Sequence, residues 1–294
     1  MKNILVVGSL NMDLVIGTPR MPALGETIHG SGFATHPGGK GANQAIAAAR
    51  QGCNVAMLGA VGNDDYGKAL KKHLEDNGVS THGVATVDTN TGIAVITVCG
   101  GDNCIILDKG ANFRVDVDMV KRNDILLNWA DIVVMQLEIP METVVFTAKW
   151  AKELGKTVIL NPAPWQKLPE ELYGYVDILI PNEYEAAGLL DMETVGDGAD
   201  ALQKLRDLGV KTPVITLGDK GAVALTEEMV FVPAKKAVAV DTTGAGDSFI
   251  GGMCRALAED KSLKEAMELG SKVAAVTVTR HGTDFPTFEE ISHG

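Results

Sequence analysis

The chain has 294 residues, with 26 Lys and Arg against 38 Asp and Glu for a formal net charge of −12, and 46% of its residues are hydrophobic. A charged fraction of 22% with ample Leu, Ile, Val and Ala is enough to bury a core, which excludes a disordered or low-complexity chain. The acidity and the lack of any basic run remove the electrostatic footprint that phosphate-backbone binding needs, so nucleic acid is not an expected partner.

The length fits one principal α/β domain over residues 1–294 with an excursion from it. Cys53, Cys99, Cys104 and Cys254 show no CxxC pairing, which argues against structural zinc and disulfides and fits a reducing cytoplasm. The first apolar run, residues 4–7, is far too short for a signal-peptide core or a membrane span and reads as a buried strand.

Similar short runs recur at 55–58, 132–135, 157–160, 178–180 and 214–217, with amphipathic helical stretches at 41–51, 66–77, 141–154 and 199–208 between them. Strands apolar on both faces belong in a parallel sheet covered by helices, so the expected fold is a doubly wound, mostly parallel α/β sheet. Two segments break the rhythm: about 14–40, rich in Gly and Pro, and 93–108, which alternates like a half-exposed strand pair. Together they read as a small β excursion beside the sheet, either a lid over the crevice at the strand ends or an edge decoration.

Chemistry concentrates in a few stretches. Asp241-Thr242-Thr243-Gly244-Ala245-Gly246-Asp247 follows a strand-like segment, 237–240, and precedes a helix-like one, 250–258. Glycines there let a ligand approach the backbone, and free amides at a helix start bind an anion. Asp247 beside that hole suits a base taking a proton from an attacking hydroxyl, or else it caps the helix. Gly38-Gly39-Lys40-Gly41-Ala42-Asn43-Gln44 again leads into a helix, with Lys40 and Asn43 as donors to a polyol or phosphate, or as a plain loop and N-cap. It is no Walker loop, because Gly41 stands where the magnesium-binding Ser or Thr belongs, and the 62–68 stretch fails likewise at Ala69.

Asn11 and Asp13 follow the first strand, two apart and on one side of an extended segment, and could grip a vicinal diol, with a plain β-turn Asn/Asp pair as the simpler reading. Glu138 lies just beyond the 132–137 run, where a solvated loop carboxylate is the simpler reading. Asn182 and Glu185 follow another strand and offer hard oxygens to magnesium, with helix capping by Asn182 as the alternative. Thr216-Leu217-Gly218-Asp219-Lys220-Gly221 forms a tight turn that passes over a nucleotide or simply reverses the chain.

In this order the motifs resemble the ribokinase/PfkB family of carbohydrate kinases over nearly the whole chain, through residues 7–13, 38–45 and 241–247. The resemblance implies ATP-dependent phosphorylation of a sugar's primary hydroxyl, giving D-ribose 5-phosphate, with Asp247 as base and the amides of Gly244, Ala245, Gly246 and Asp247 as anion hole. It implies that Asn11, Asp13, Gly39, Lys40, Gly41, Ala42, Asn43 and Glu138 hold the sugar with Asp247. Asn182, Glu185 and residues 216–221, with Gly246, Asp247 and Ser271, then serve ATP and Mg2+. It further implies a potassium ion near Asp241, Thr243, Thr277, Arg280, Gly282 and Asp284, mostly through backbone carbonyls, and an excursion that acts as lid and homodimer contact. The segment 282–286 is shorter than the usual ending, and Ser271 stands where Asn or His is common. The rivals are a kinase for deoxyribose, fructose or a nucleoside, and a catalytically silent sugar-binding regulator.

Overall fold

The computed structural model describes residues 1–100 and 102–293; Gly101, inside the 93–108 excursion, and Gly294 lie outside the described residues. Alternation along the first strand, β1 (Asn3–Val7), sets the architecture: Ile4 and Val6 enter one hydrophobic core, Leu5 and Val7 the other. Each such residue is essentially free of solvent and stabilises the fold by roughly 2 kcal/mol through leaving water.

The strands that follow are β2 (Asn11–Gly17), β3 (Ser31–Gly38), β4 (Asn54–Gly62), β5 (Val79–Val87), β6 (Gly92–Cys99) and β7 (Asp102–Asp108). Then come β8 (Ile132–Met135), β9 (Thr157–Leu160), β10 (Ile178–Leu179), β11 (Thr212–Thr216), β12 (Gly221–Leu225) and β13 (Met229–Pro233). The main sheet has nine strands in the order β13-β12-β11-β10-β9-β8-β1-β4-β5, parallel except for the antiparallel β11-β12-β13 edge. The second sheet, β3-β2-β6-β7, is built from the two excursions: β2 pairs antiparallel with β3 and parallel with β6, and β6 and β7 form an antiparallel hairpin.

Helices cover both faces of the main sheet, and three of them decide the site. Lys40–Arg50, Ala245–Ala258 and Leu263–Thr277 pack closely because small residues meet. A Cβ on Gly251 would stand 2.5 Å from the Ala47 Cβ, and one on Gly252 would stand 2.8 Å from the Gly270 Cα. That closeness brings the start of Ala245–Ala258 against the first turn of Lys40–Arg50.

One expected element is corrected. Residues 237–240 form no strand; Val238 is 85% exposed, and Val240 holds on only through its N–H to the Val278 carbonyl at 2.7 Å. The sheet already ends at β13, so this β-branched stretch has no neighbour to pair with, and propensity alone makes no strand. The 241–247 motif therefore enters its helix from irregular backbone rather than from a strand end.

Candidate active site

The main sheet reverses its winding between β1 and β8, and at that point the two chains leave in different directions from the carboxyl ends of their strands, opening a crevice. Glu138, beyond β8, reaches across it. Its Oε2 accepts from the Ser9 hydroxyl, from Lys40 N at 3.1 Å and from Asn11 Nδ2 at 3.5 Å, so it is a bound carboxylate and not a solvated loop residue. Asn112 fastens the other side: its carboxamide accepts from Leu10 N at 2.9 Å and donates to Leu10 O at 3.0 Å and to Asn11 Oδ1 at 2.7 Å. Asn11, Glu138, Asn112, Trp165 and Gln166, with Leu107 and Asp108 from β7, enclose a cavity of about 210 Å3.

Asp13 is on β2, two residues from Asn11. Burial, and then the charges of Glu138 and Asp247, push its carboxyl up to about 7. It fits there because Gly38 lacks a side chain; a Cβ on Gly38 would stand 2.6 Å from Asp13 Oδ2.

A second cavity, about 230 Å3, gathers Lys40, Asn182, Glu185, Thr216 and the Gly244 to Asp247 turn, and the Lys40 N–H links it to Glu138 in the wall of the first. Gly244 takes a left-handed conformation at φ 75°, which a glycine adopts freely. No side chain caps the helix that follows, whereas Asp64, Asn182 and Ser262 each cap theirs. The positive end of a helix thus faces the cavity uncovered. Asp247 is buried and does not cap its own helix: Oδ2 accepts from Asn43 Nδ2 at 3.1 Å and Oδ1 from Gln44 Nε2 at 2.9 Å. Burial works against the charge on Lys40, but Asp247, Glu138 and Glu185 more than offset it, so its ammonium is held more firmly than usual. Glu185 is raised by burial, against the opposing pull of the Asn182 N–H and Lys40.

Asn182 and Glu185 do form a capping box, each accepting from the other's backbone N–H at 2.8 Å, and they also line the cavity. A bridge between Asn182 and Thr216 brings the two strand ends together. Gly39, at φ 94°, Gly41 and Ala42 lie at the helix entry, where a Cβ on Gly39 would stand 2.7 Å from Asn11 N.

Other expected residues are set apart. Leu217, Gly218, Asp219, Lys220 and Gly221 reverse the chain into β12 without lining either cavity. Ser271 bonds Lys235 N and Pro233 O at the end of β13. Asp241 accepts from Thr243 N and Gly282 N at 2.9 and 2.8 Å; burial raises its carboxyl, but these hydrogen bonds outweigh it and hold the group low. Thr277 bonds within its own helix, Arg280 pairs with Glu290, and Asp284 lies between Arg280 at 3.5 Å and Arg50 at 3.9 Å. Asn112, Gln136, Asn161 and Trp165 fall in no motif, and Ser9 stands inside the 7–13 stretch without a role that its spacing assigns.

The profile described as pfkB family carbohydrate kinase matches residues 1–290. The chain belongs to the pfkB family of carbohydrate kinases. It is 41% identical to a ribokinase of Schizosaccharomyces pombe over 99% of this chain and 97% of that protein. Among solved pfkB-type structures, a ribokinase of Thermotoga maritima superposes with a TM-score of 0.91 at 37% identity, covering 100% of this chain and 99% of that one. Arabidopsis thaliana ribokinase complexed with ribose and ATP superposes with a TM-score of 0.94 at 33% identity, covering 99% and 98%. The described residues contain no helix long and apolar enough to cross a membrane and no group of three or more His, Cys, Asp or Glu placed to hold a metal.

Proposed function

We propose that this pfkB-family chain transfers the γ-phosphoryl group of ATP to the 5-hydroxyl of D-ribose, giving D-ribose 5-phosphate and ADP. The observation that carries the reading is the buried Asp247 carboxylate at an uncapped helix start, facing a cavity whose Lys40 bonds Glu138 in the wall of the cavity built by Asn11 and Glu138. Asn11, Asp13 and Glu138 take the sugar hydroxyls, with Gly39, Gly41, Ala42 and Asn43 shaping the wall beside them. Asp247 accepts the proton of the attacking hydroxyl. The amides of residues 244–247 and Lys40 meet the charge that builds up on the transferred group, and they are already oriented to do so. Magnesium, bound with ATP, neutralises phosphate charge. Asn182 and Glu185 supply hard oxygens that fit such an ion as part of a hydrated, phosphate-bound set rather than a protein cage.

A potassium ion beside the 241–244 turn is part of the same reading, supported by the Asp241 side chain that ties this turn to Gly282. The small sheet serves as the lid, since Leu107 and Asp108 reach the sugar cavity. Its exposed Phe33, Ile105 and Ile106 support pairing with a second copy.

Coupled ADP release with ATP, magnesium and potassium across ribose, 2-deoxyribose, fructose and a nucleoside tests the proposal. Preference for ribose is expected. Preference for another acceptor would reassign the sugar site while keeping Asp247, and no turnover on any of them would favour a silent binding protein.

A further inference from the structure

Behind Asp247 lies a chain of amides that reaches the second cavity at Asn161 and runs inward to Gln44 and Gln136, which line neither cavity. Gln44 and Gln136 are 1% and 0% exposed. Gln44 Nε2 donates both to Asp247 Oδ1 at 2.9 Å and to Asn161 Oδ1 at 3.1 Å, while Gln44 Oε1 accepts from Gln136 Nε2 at 2.6 Å. Asn161 in turn donates from Nδ2 to the Ile180 carbonyl at 2.9 Å.

The direction of this chain is forced. Turning the Gln44 amide over would set its oxygen against a carboxylate and against the Asn161 oxygen, so its nitrogen must face them. Its oxygen then needs a donor, and Gln136 can supply one only by presenting its nitrogen. The cost is visible: Gln136 Oε1 is buried with no hydrogen-bond partner. An orphaned acceptor of this kind is expensive, and it persists where the surrounding network fixes it. The room for it comes from Gly8, where a Cβ would stand 2.1 Å from Gln136 Oε1.

We propose that Gln136 and Gln44 act as a one-way relay that holds the Asp247 carboxylate in its reactive orientation, so that both are positioning residues for phosphoryl transfer; the inference rests on the activity assigned above. Asn43 holds one carboxylate oxygen, and Gln44 holds the other from within the core. Gln136, which follows β8 at the winding reversal, anchors that grip to the carboxyl end of a central strand. The relay moves no proton and breaks no bond; it fixes the direction of a lone pair.

The test is steady-state kinetics on Gln44→Met, Gln136→Met and the double variant, with ribose affinity measured by titration calorimetry. Loss of orientation lowers kcat by about 100-fold for Gln44→Met and by about 10-fold for Gln136→Met, with ribose Kd changed less than about twofold, and the double variant matches Gln44→Met alone because both act through one carboxylate. Circular dichroism and thermal melting verify folding. If Gln136→Met does not fold, Gln136→Asn, which withdraws the amide by one methylene, carries the same expectation. Wild-type-like kcat in both single variants, or effects that multiply in the double variant, overturns the relay while leaving the activity intact. Failure of the wild-type chain to phosphorylate any sugar removes the activity, and the relay's role with it.

Discussion

Asn112 Nδ2 donates to Asn11 Oδ1 at 2.7 Å across 101 positions of sequence, while the same side chain satisfies both the N–H and the carbonyl of Leu10. Asn112, in the turn beyond β7, therefore sets the direction of the Asn11 amide, which lines the first cavity. Asn112→Ala leaves Leu10 N–H and C=O buried without partners and costs about 1–3 kcal/mol for such groups. Urea unfolding should show that loss, and the ribose Kd should rise about tenfold as Asn11 loses its orientation, a change worth about 1.4 kcal/mol. An unchanged Kd would detach Asn11 from sugar binding.

Asp247→Asn keeps the shape of the side chain and removes the acceptor. Turnover is expected to fall by about 10²–10⁴, the usual scale for loss of a general base. Ribose binding by calorimetry should stay near wild type. Comparable turnover in the variant would take Asp247 out of the proton-accepting role.

Asp13 carries a pH signature in stability. Burial first, then Glu138 and Asp247, move its carboxyl from the ordinary 3.8 to about 7. Between these values the folded chain keeps a proton that the unfolded chain has released, so this group's stabilisation is fully present below the unfolded value and is lost as pH rises through the folded one. Urea midpoints of wild type measured against Asp13→Asn at about pH 4, 6 and 8 should show wild type losing ground over the rise from 4 to about 7 and no further change above it. Parallel pH curves for the two proteins would contradict the placement of a buried acid there.

Gly244→Ala meets two obstacles. The left-handed backbone costs about 1–2 kcal/mol for a residue with a Cβ, and that Cβ would stand 3.0 Å from the Phe285 ring. The turn should shift away from the cavity, raising the KM for ATP and lowering kcat together. Wild-type kinetics in a folded variant would exclude the 244–247 amides as the anion site.

On the proposed reading that the 241–244 turn holds a monovalent ion, replacing potassium with a large organic cation at fixed magnesium should lower the rate. Equal rates in the two salts would refute a monovalent site there.

Legibility followed burial. The strands Ile132–Met135 and Thr157–Leu160 and the helix starting at Met141 stand where the sequence places them, since short apolar runs buried on both faces announce themselves. The 237–240 run carried the same β-branched signal and failed because no strand lies beside it. The same limit applies in the site. Asp247, Lys40 and Asn182 stand in motifs with glycines or helix starts, so their chemistry shows in the order of residues. Asn112, Gln136 and Asn161 are isolated amides in apolar surroundings, and what each one does depends on partners from distant strands that only folding brings near.

Asn11 and Asp13 stand on β2, which belongs to the small sheet and leaves β1 after only Gly8, Ser9 and Leu10. On the proposed reading, the cover of the crevice and two of the groups that grip the sugar belong to one sheet, so any displacement of the cover also displaces them. Retention of sugar at scarcity and escape of product at plenty would then draw on the same element, and a variant that discharges product faster should also scavenge ribose less well.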